Sequence, residues 1–388
     1  MSSKKMWHFA GLQRTHAALV ALVALAAIGL LAGCASGSDK PKPAELGPNA
    51  ALISVRQAWS TRIGQVSFPV DAKVNGNVIT VASSDGTVAG LDGATGQDRW
   101  RVSVGTAISA AAGADGRYAA VVTKGNQLVV LEAGRELWRE PLGAIGYTAP
   151  LVAGERVFVM TADRVLAAFD ARTGRKIWSY SRPGEQSLAL RQAGVLLAVG
   201  DTLVAGISGR LVGLNPQNGS LRWEAPIASP RGTNDVERLV DLVGRVSRVG
   251  EVVCARAFQT AVGCVNTARG SVAWSKPASG AEGVHGDGQL LIGTESDGKI
   301  IAWSRNTGDR VWASERLKFR GLTAPLVIGR SVAVGDAQGW LHFLSKEDGS
   351  LLARVPTDGS AIVGAPVAVG DTLVVVTHNG GVFGFRPE

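Results

Sequence analysis

The sequence predicts an all-β chain folded as an eight-bladed β-propeller, with four antiparallel strands per blade and the ring closed by pairing of the N- and C-terminal strands. Three observations carry this. A glycine is followed four residues later by a tryptophan at Gly96/Trp100, Gly134/Trp138, Gly174/Trp178, Gly219/Trp223, Gly270/Trp274 and Gly308/Trp312. The tryptophans from Trp59 to Trp312 are separated by 41, 38, 40, 45, 51 and 38 residues, a period that suits blades of four short strands. Finally, RQAW (56–59) reads as a tryptophan-bearing strand with nothing before it, and GGVFGF (380–385) as a strand with no partner after it. Joined, they complete one blade and leave no open edge at the seam.

Each repeat justifies its own strands. In DGTVAGLDGATGQDRW (85–100) and DRVLAAFDARTGRKIW (163–178), alternating apolar positions give a strand, Asp-x-x-Thr-Gly gives a turn, and a second strand carries the tryptophan. Asp92 and Asp170 are placed to accept turn amides, and the glycine takes a positive φ without steric cost. The tryptophan is expected to lie between neighbouring blades with its indole N–H on a carbonyl. The upstream half of the unit recurs in YTAPLVAGERVFVMT (147–161), LTAPLVIGRSVAVGD (322–336) and GAPVAVGDTLVVVTH (364–378), each a proline-bearing strand, a turn and a more apolar strand. A seventh unit has Ala353 four residues after Gly349 instead of tryptophan. The alternative is a seven-bladed ring with a frayed terminus.

The chain divides into residues 1–33, 34–50 and 51–388. Lys4, Lys5 and Arg14 precede an apolar run from Ala17 to Leu31, the pattern of an export signal. Leu31-Ala32-Gly33-Cys34 resembles a bacterial lipobox, which makes Cys34 the candidate for acylation and the mature N-terminus. Residues 35–50 hold small polar residues and prolines with no apolar face, and are expected to be a flexible tether. The formal charge of +8 falls to +5 without the three signal-peptide cations, and no Lys/Arg run in the mature chain exceeds two. That balance argues against nucleic acid, which calls for a basic stripe.

Catalytic and metal chemistry find little support. His285, His342 and His378 stand in different units without metal-ligand spacing, and no nucleophile elbow, phosphate loop or dinucleotide fingerprint occurs. Asp92, Asp98, Asp170 and Asp348 fall near equivalent turns, which a ring keeps apart. No cofactor is expected. Cys254 and Cys264 flank a turn near Gln259 and oppose each other if the hairpin centres there; a disulfide and two buried thiols both remain open. Trp303 and Trp340, outside the regular series, are the aromatics to inspect for a sugar-binding mouth.

Two stretches break the blade pattern, and such breaks are where a scaffold presents function. After Trp178, Leu188-Ala189-Leu190-Arg191 is expected in place of the proline-bearing strand, so that two leucines and an arginine reach the surface or, alternatively, the leucines point into the sheet. In 228–250, within the longest interval, Glu237, Arg238 and Asp241 are interleaved with Leu239, Val240 and Leu242, as in a polar-rimmed interface or a loop packed on its own blade.

The unit from Ala168-Phe169-Asp170 through Thr173-Gly174 to Trp178 resembles the quinoprotein-type propeller repeat. With the lipobox, the eight units and Ser187-Leu188-Ala189-Leu190-Arg191, the mature chain resembles the BamB family of lipoproteins from the outer-membrane β-barrel assembly machine. The resemblance implies a lipid anchor in the outer membrane, a periplasm-facing body without enzymatic activity, and docking on the POTRA domains of the BamA subunit among the other subunits of the machine. It also implies help for unfolded outer-membrane proteins on their way there. The docking residues it implies match Leu188, Leu190, Arg191 and Asp241; a second acidic position of the family falls on Val243. Quinone-dependent dehydrogenases of the same repeat class are the rival, and are expected to be longer, with adjacent cysteines and a compact acidic cluster.

Overall fold

The computed structural model describes residues 41–69, 72–182, 190–229 and 240–388. Eight four-stranded antiparallel sheets form an eight-bladed β-propeller, with no helix among the described residues. Blades 1 to 7 are continuous in sequence and span 73–103, 113–141, 151–180, 196–226, 242–277, 284–314 and 326–356. Blade 8 takes Val367–Val369, Thr372–Val376 and Gly381–Pro387 from the C-terminus and Val55–Arg62 from the N-terminus. Val55 pairs with Pro387 and Arg62 with Gly381, so the latch expected from RQAW and GGVFGF forms along the whole strand.

The turn chemistry sets the position of each tryptophan. Asp92 Oδ1 accepts hydrogen bonds from the Ala94 and Thr95 amides at 2.9 and 3.1 Å, and Gly96 follows at a φ of +70°. The register then shifts by a bulge, between Gly90 and Leu91 in blade 1 and at the matching place in the other blades. As a result Trp100 stands opposite Gly90, Trp223 opposite Gly213 and Trp59 opposite Gly384.

From there each indole crosses to the next blade and rests on that blade's turn glycine. A Cβ on Gly96 would lie 2.3 Å from the Trp59 ring, one on Gly219 2.6 Å from Trp178, and one on Gly308 2.5 Å from Trp274. The indole N–H groups of Trp59, Trp138, Trp178, Trp274 and Trp312 donate to Gly93, Ala171, Pro216, Arg305 and Lys346 carbonyls, each in the following blade. This ring of contacts explains the one missing tryptophan. Blade 7 would rest its tryptophan on the turn of blade 8, but that turn is replaced by the chain ends, where the Glu388 amide meets the Ser54 carbonyl. There Ala353 stands opposite Phe343, and the bulk comes from the neighbouring strand.

The strands alternate in direction, so two kinds of connection share one face of the ring. These are the links from one blade's last strand to the next blade's first, and the turns between second and third strands; we call this the front face. The two sets of loops bond to each other there, as in Ala162 N to Ile145 O, Phe258 N to Asp241 O and Ala337 N to Arg320 O, at 2.7, 2.9 and 3.0 Å. The remaining turns form the back face.

Three boundaries differ from the sequence expectation. The first strand of blade 4 is Leu196–Val199, not Leu188–Arg191. Gly200, at a φ of +56°, supplies the turn that Gly154 supplies in blade 3, and the strand must be the apolar run directly before it. Likewise Leu242–Val249, inside the expected 228–250 insertion, is the first strand of blade 5, ended by Gly250 at a φ of +57°. The tether expected over 34–50 is also shortened, because Ala44, Gly47 and Asn49 are hydrogen-bonded to blade 7 or to the link between blades 6 and 7.

Polar contacts between blades add to the apolar ones. Asp287 of blade 6 meets Lys346 of blade 7 at 2.7 Å. Burial opposes ionisation of Asp287, but the Lys346 ammonium and the Leu290 and Gln289 amides outweigh it and lower its pKa to about 2. Stability from this contact is therefore present above the ordinary carboxylate pKa and is lost as pH falls through about 2. Asp287→Asn is expected to melt below the wild type at pH 7, with the difference closing near pH 2. A difference that is the same at both pH values contradicts this.

Candidate functional site

The front face opens on the axis into a funnel of about 270 Å³ lined by residues at the starts of the blades, among them Lys73, Thr148, Gly194, Arg245 and Glu282. Arg245 lies where the blade 5 register shifts, between Val243 and Ser247, and reaches the Pro366 carbonyl of blade 8 at 2.7 Å. Beside the funnel, on the links into blades 4 and 5, the structure brings together residues that are distant in sequence.

Asp241 is the centre of this arrangement. Its Oδ2 accepts the Leu190 amide at 2.8 Å, and its Oδ1 pairs with the Arg164 guanidinium at 2.8 Å. The side chains of Arg164 and Asp241 are 8% and 15% exposed, so the pair is largely shielded from solvent screening. One carboxylate thus joins the link into blade 4, the link into blade 5 and a turn of blade 3. Thr148 adds a second tie, its Oγ1 accepting the Gly194 amide at 2.9 Å. Gly194 also bridges to Val243 across the blade 4–5 junction.

What this holds out is the Leu190-Arg191 pair. Leu190 is half-buried and Arg191 is exposed, with its guanidinium 5.6 Å from the Tyr147 ring centroid. A cation over an aromatic face is both attracted and oriented. A neighbouring open groove of about 400 Å³ runs between Arg191 and Lys124, walled by Phe68, Ile108, Ile145 and Tyr147. The arrangement is a fixed arginine beside an apolar groove, suited to contact with another surface.

The structure therefore unites Leu190, Arg191 and Asp241 but gives Asp241 a different place from the one expected. It is a clamp beneath the surface, engaged on two sides, and not a free acidic contact. Val243 is 1% exposed in the first strand of blade 5 and presents no surface for a partner. Leu188, Glu237, Arg238 and Cys34 lie outside the described residues. Cys254 and Cys264 are not among these contacts: they face each other across the second and third strands of blade 5, fully buried and joined in a disulfide, with Gln259 in the turn. Trp303 is buried against Arg256, and Trp340 is half-buried under Arg354, so neither stands open at a mouth. Among the described residues no group of His, Cys, Asp and Glu is arranged to hold a metal. Asp92, Asp170 and Asp348 are spent on the amides of their own turns, and Asp98 pairs with Arg101.

Arg164 and Tyr147 were not expected from the sequence. The turn that Arg164 occupies carries Gly86, Gly298, Gly339 and Gly380 in other blades, all at positive φ, and Arg164 itself adopts a φ of +62°. An arginine where glycine is conformationally favoured is a signal that can be read from aligned repeats.

A family profile described as "Outer membrane protein assembly factor BamB" matches residues 84–314. The chain belongs to this family. The BamB protein of Burkholderia pseudomallei is 37% identical over 382 residues, 97% of this chain and 100% of that one. That of Bordetella pertussis is 36% identical over 365 residues, covering 92% and 94%. The crystal structure of BamB from Moraxella catarrhalis superposes with a TM-score of 0.78 at 25% identity, over 86% of this chain and 99% of that one. The quinohemoprotein alcohol dehydrogenase of Comamonas testosteroni, at 14% identity and a TM-score of 0.67 over 87% and 77%, shares the fold alone.

Proposed function

We propose that this BamB-family chain is a non-enzymatic scaffold of the outer-membrane β-barrel assembly machine, anchored through Cys34 and facing the periplasm. On this reading it captures the POTRA domains of the BamA subunit with its front face and assists delivery of unfolded outer-membrane proteins to the machine. The observation that carries the reading is the clamped Leu190-Arg191 pair. Its backbone is tied to Asp241, its arginine is exposed above Tyr147, and little ordering is left to be done on binding. Membership of the family supports this partner, and the clamped geometry supports this part of the front face as its docking surface.

Leu190→Asp and Arg191→Glu are each expected to reduce co-purification of the BamA subunit with the lipidated protein at least tenfold. Both sit outside the blade cores, and at the exposed Arg191 stability should shift by no more than about 0.5 kcal/mol. Folded mutants that recover the subunit at wild-type yield contradict the reading.

A further inference from the structure

The segment ahead of the first strand is docked on the ring by a specific set of contacts. Lys318 O accepts the Ala44 amide at 2.9 Å, and the Ala44 carbonyl accepts from Arg320 at 2.9 Å. Arg320 is itself held by Asp336 at 2.7 Å, with side-chain exposures of 7% and 0%. Farther along, Arg354 donates to the Gly47 carbonyl at 2.6 Å. The Asn49 carboxamide both accepts the Arg354 amide and donates to the Arg354 carbonyl, at 3.0 and 3.1 Å, as the backbone of a neighbouring strand would. The Leu52 amide then bonds the Leu352 carbonyl at 2.8 Å, and Ile53 packs on the cluster containing Ala353, Phe343 and Phe385.

These residues cover the outer edge of blade 7, Leu351–Pro356, in which Arg354 is the one charged residue. The corresponding strand of blade 1 carries Asp98, Arg99 and Arg101, and that of blade 2 Arg135, Glu136, Arg139 and Glu140. Charge protects those edges from pairing with other chains, whereas blade 7 is protected by its own N-terminal segment. The segment begins at the link between blades 6 and 7, on the front face, and descends toward the back face, where Ser54 meets Glu388.

We propose that residues 44–53 are a strap that fixes where the lipid tether leaves the ring. The exit is the rim of the front face, the face that also presents Leu190 and Arg191. Nine residues separate Cys34 from Ala44 and can reach roughly 30 Å when fully extended; freeing the strap would about double that reach. The inference rests on the anchoring of Cys34 contained in the functional reading, but not on the partner.

The test uses the full-length lipidated protein in phosphatidylethanolamine–phosphatidylglycerol vesicles that contain a nitroxide-headgroup lipid as quencher. A dye is attached at Gln338→Cys on the front face or Glu347→Cys on the back face, both exposed on blade 7. Cys254 and Cys264 are buried in their disulfide and do not compete for the label. The front-face dye is expected to be quenched at least twofold more than the back-face dye. In an Asn49→Ala, Arg354→Ala double variant that ratio should fall toward one, while exchange of the Leu52 amide in the lipid-free ring rises at least tenfold. Protein that floats with the vesicles but shows equal quenching at both sites overturns the strap's role while leaving the anchor intact. Protein that does not float overturns the anchoring and the strap's role with it. A freely exchanging Leu52 amide in the wild type overturns the docking itself.

Discussion

Trp59→Ala is expected to lower the stability of the ring by about 3–5 kcal/mol, the range for removing a buried tryptophan. Trp59 is 9% exposed and lies over the blade 1 turn glycine Gly96, with its indole N–H on the Gly93 carbonyl at 3.2 Å. Its strand is also the one that joins the N-terminus to the C-terminal strand of blade 8. The substitution therefore removes the apolar contact across the seam and weakens the latch that closes the sheet. Gly96→Ala attacks the same contact from the other side. Its added Cβ would sit 2.3 Å from the indole, at a φ of +70° that already disfavours alanine. Both proteins should melt well below the wild type in calorimetry. A wild-type melting temperature for Trp59→Ala would mean that the seam does not hold the ring together.

Asp241→Ala is expected to cost about 2 kcal/mol in stability, since it removes two hydrogen bonds to a charged group, the Leu190 amide and the Arg164 guanidinium. Its effect on partner capture should be larger than its small exposure suggests, a loss of tenfold or more, because the Leu190-Arg191 segment loses its clamp. Asp241→Asn separates positioning from charge. The amide oxygen still accepts from Leu190 while the ion pair with Arg164 is gone, so capture should recover in part. If Asp241→Ala binds the partner as the wild type does, Asp241 is not what holds the segment in its binding shape. If Asp241→Asn is as weak as Asp241→Ala, the carboxylate charge matters more than the backbone tie.

The architecture was legible in the sequence because the first six blades repeat the same local solution. The glycine of each Asp-x-x-Thr-Gly turn and the tryptophan four residues later report two contacts at once, the hairpin and the junction with the previous blade. Ala353 could be read as an irregularity but not explained, since its cause is the absence of a turn in the next blade, where the two chain ends meet. The candidate site was legible only in part. Leu190, Arg191 and Asp241 stood out as departures from the repeat, but their relation depends on two front-face links meeting beside a turn of blade 3. No local pattern reports that meeting. For the same reason Asp241 was expected as a surface contact, and Arg164 was not expected at all. The strap was missed because AELGPN has no apolar periodicity; it is held by arginines from blade 7 and the preceding link, and by one asparagine side chain, which a reading of hydrophobic pattern does not register.

The central claim is that a prearranged Leu190-Arg191 surface on the front face captures the barrel-assembly subunit. Its most direct test is the affinity of purified POTRA domains for the wild type and for Arg191→Glu, measured side by side on protein of equal melting temperature. The account predicts at least a tenfold rise in Kd for Arg191→Glu. An unchanged Kd would contradict it and move the binding surface elsewhere on the ring.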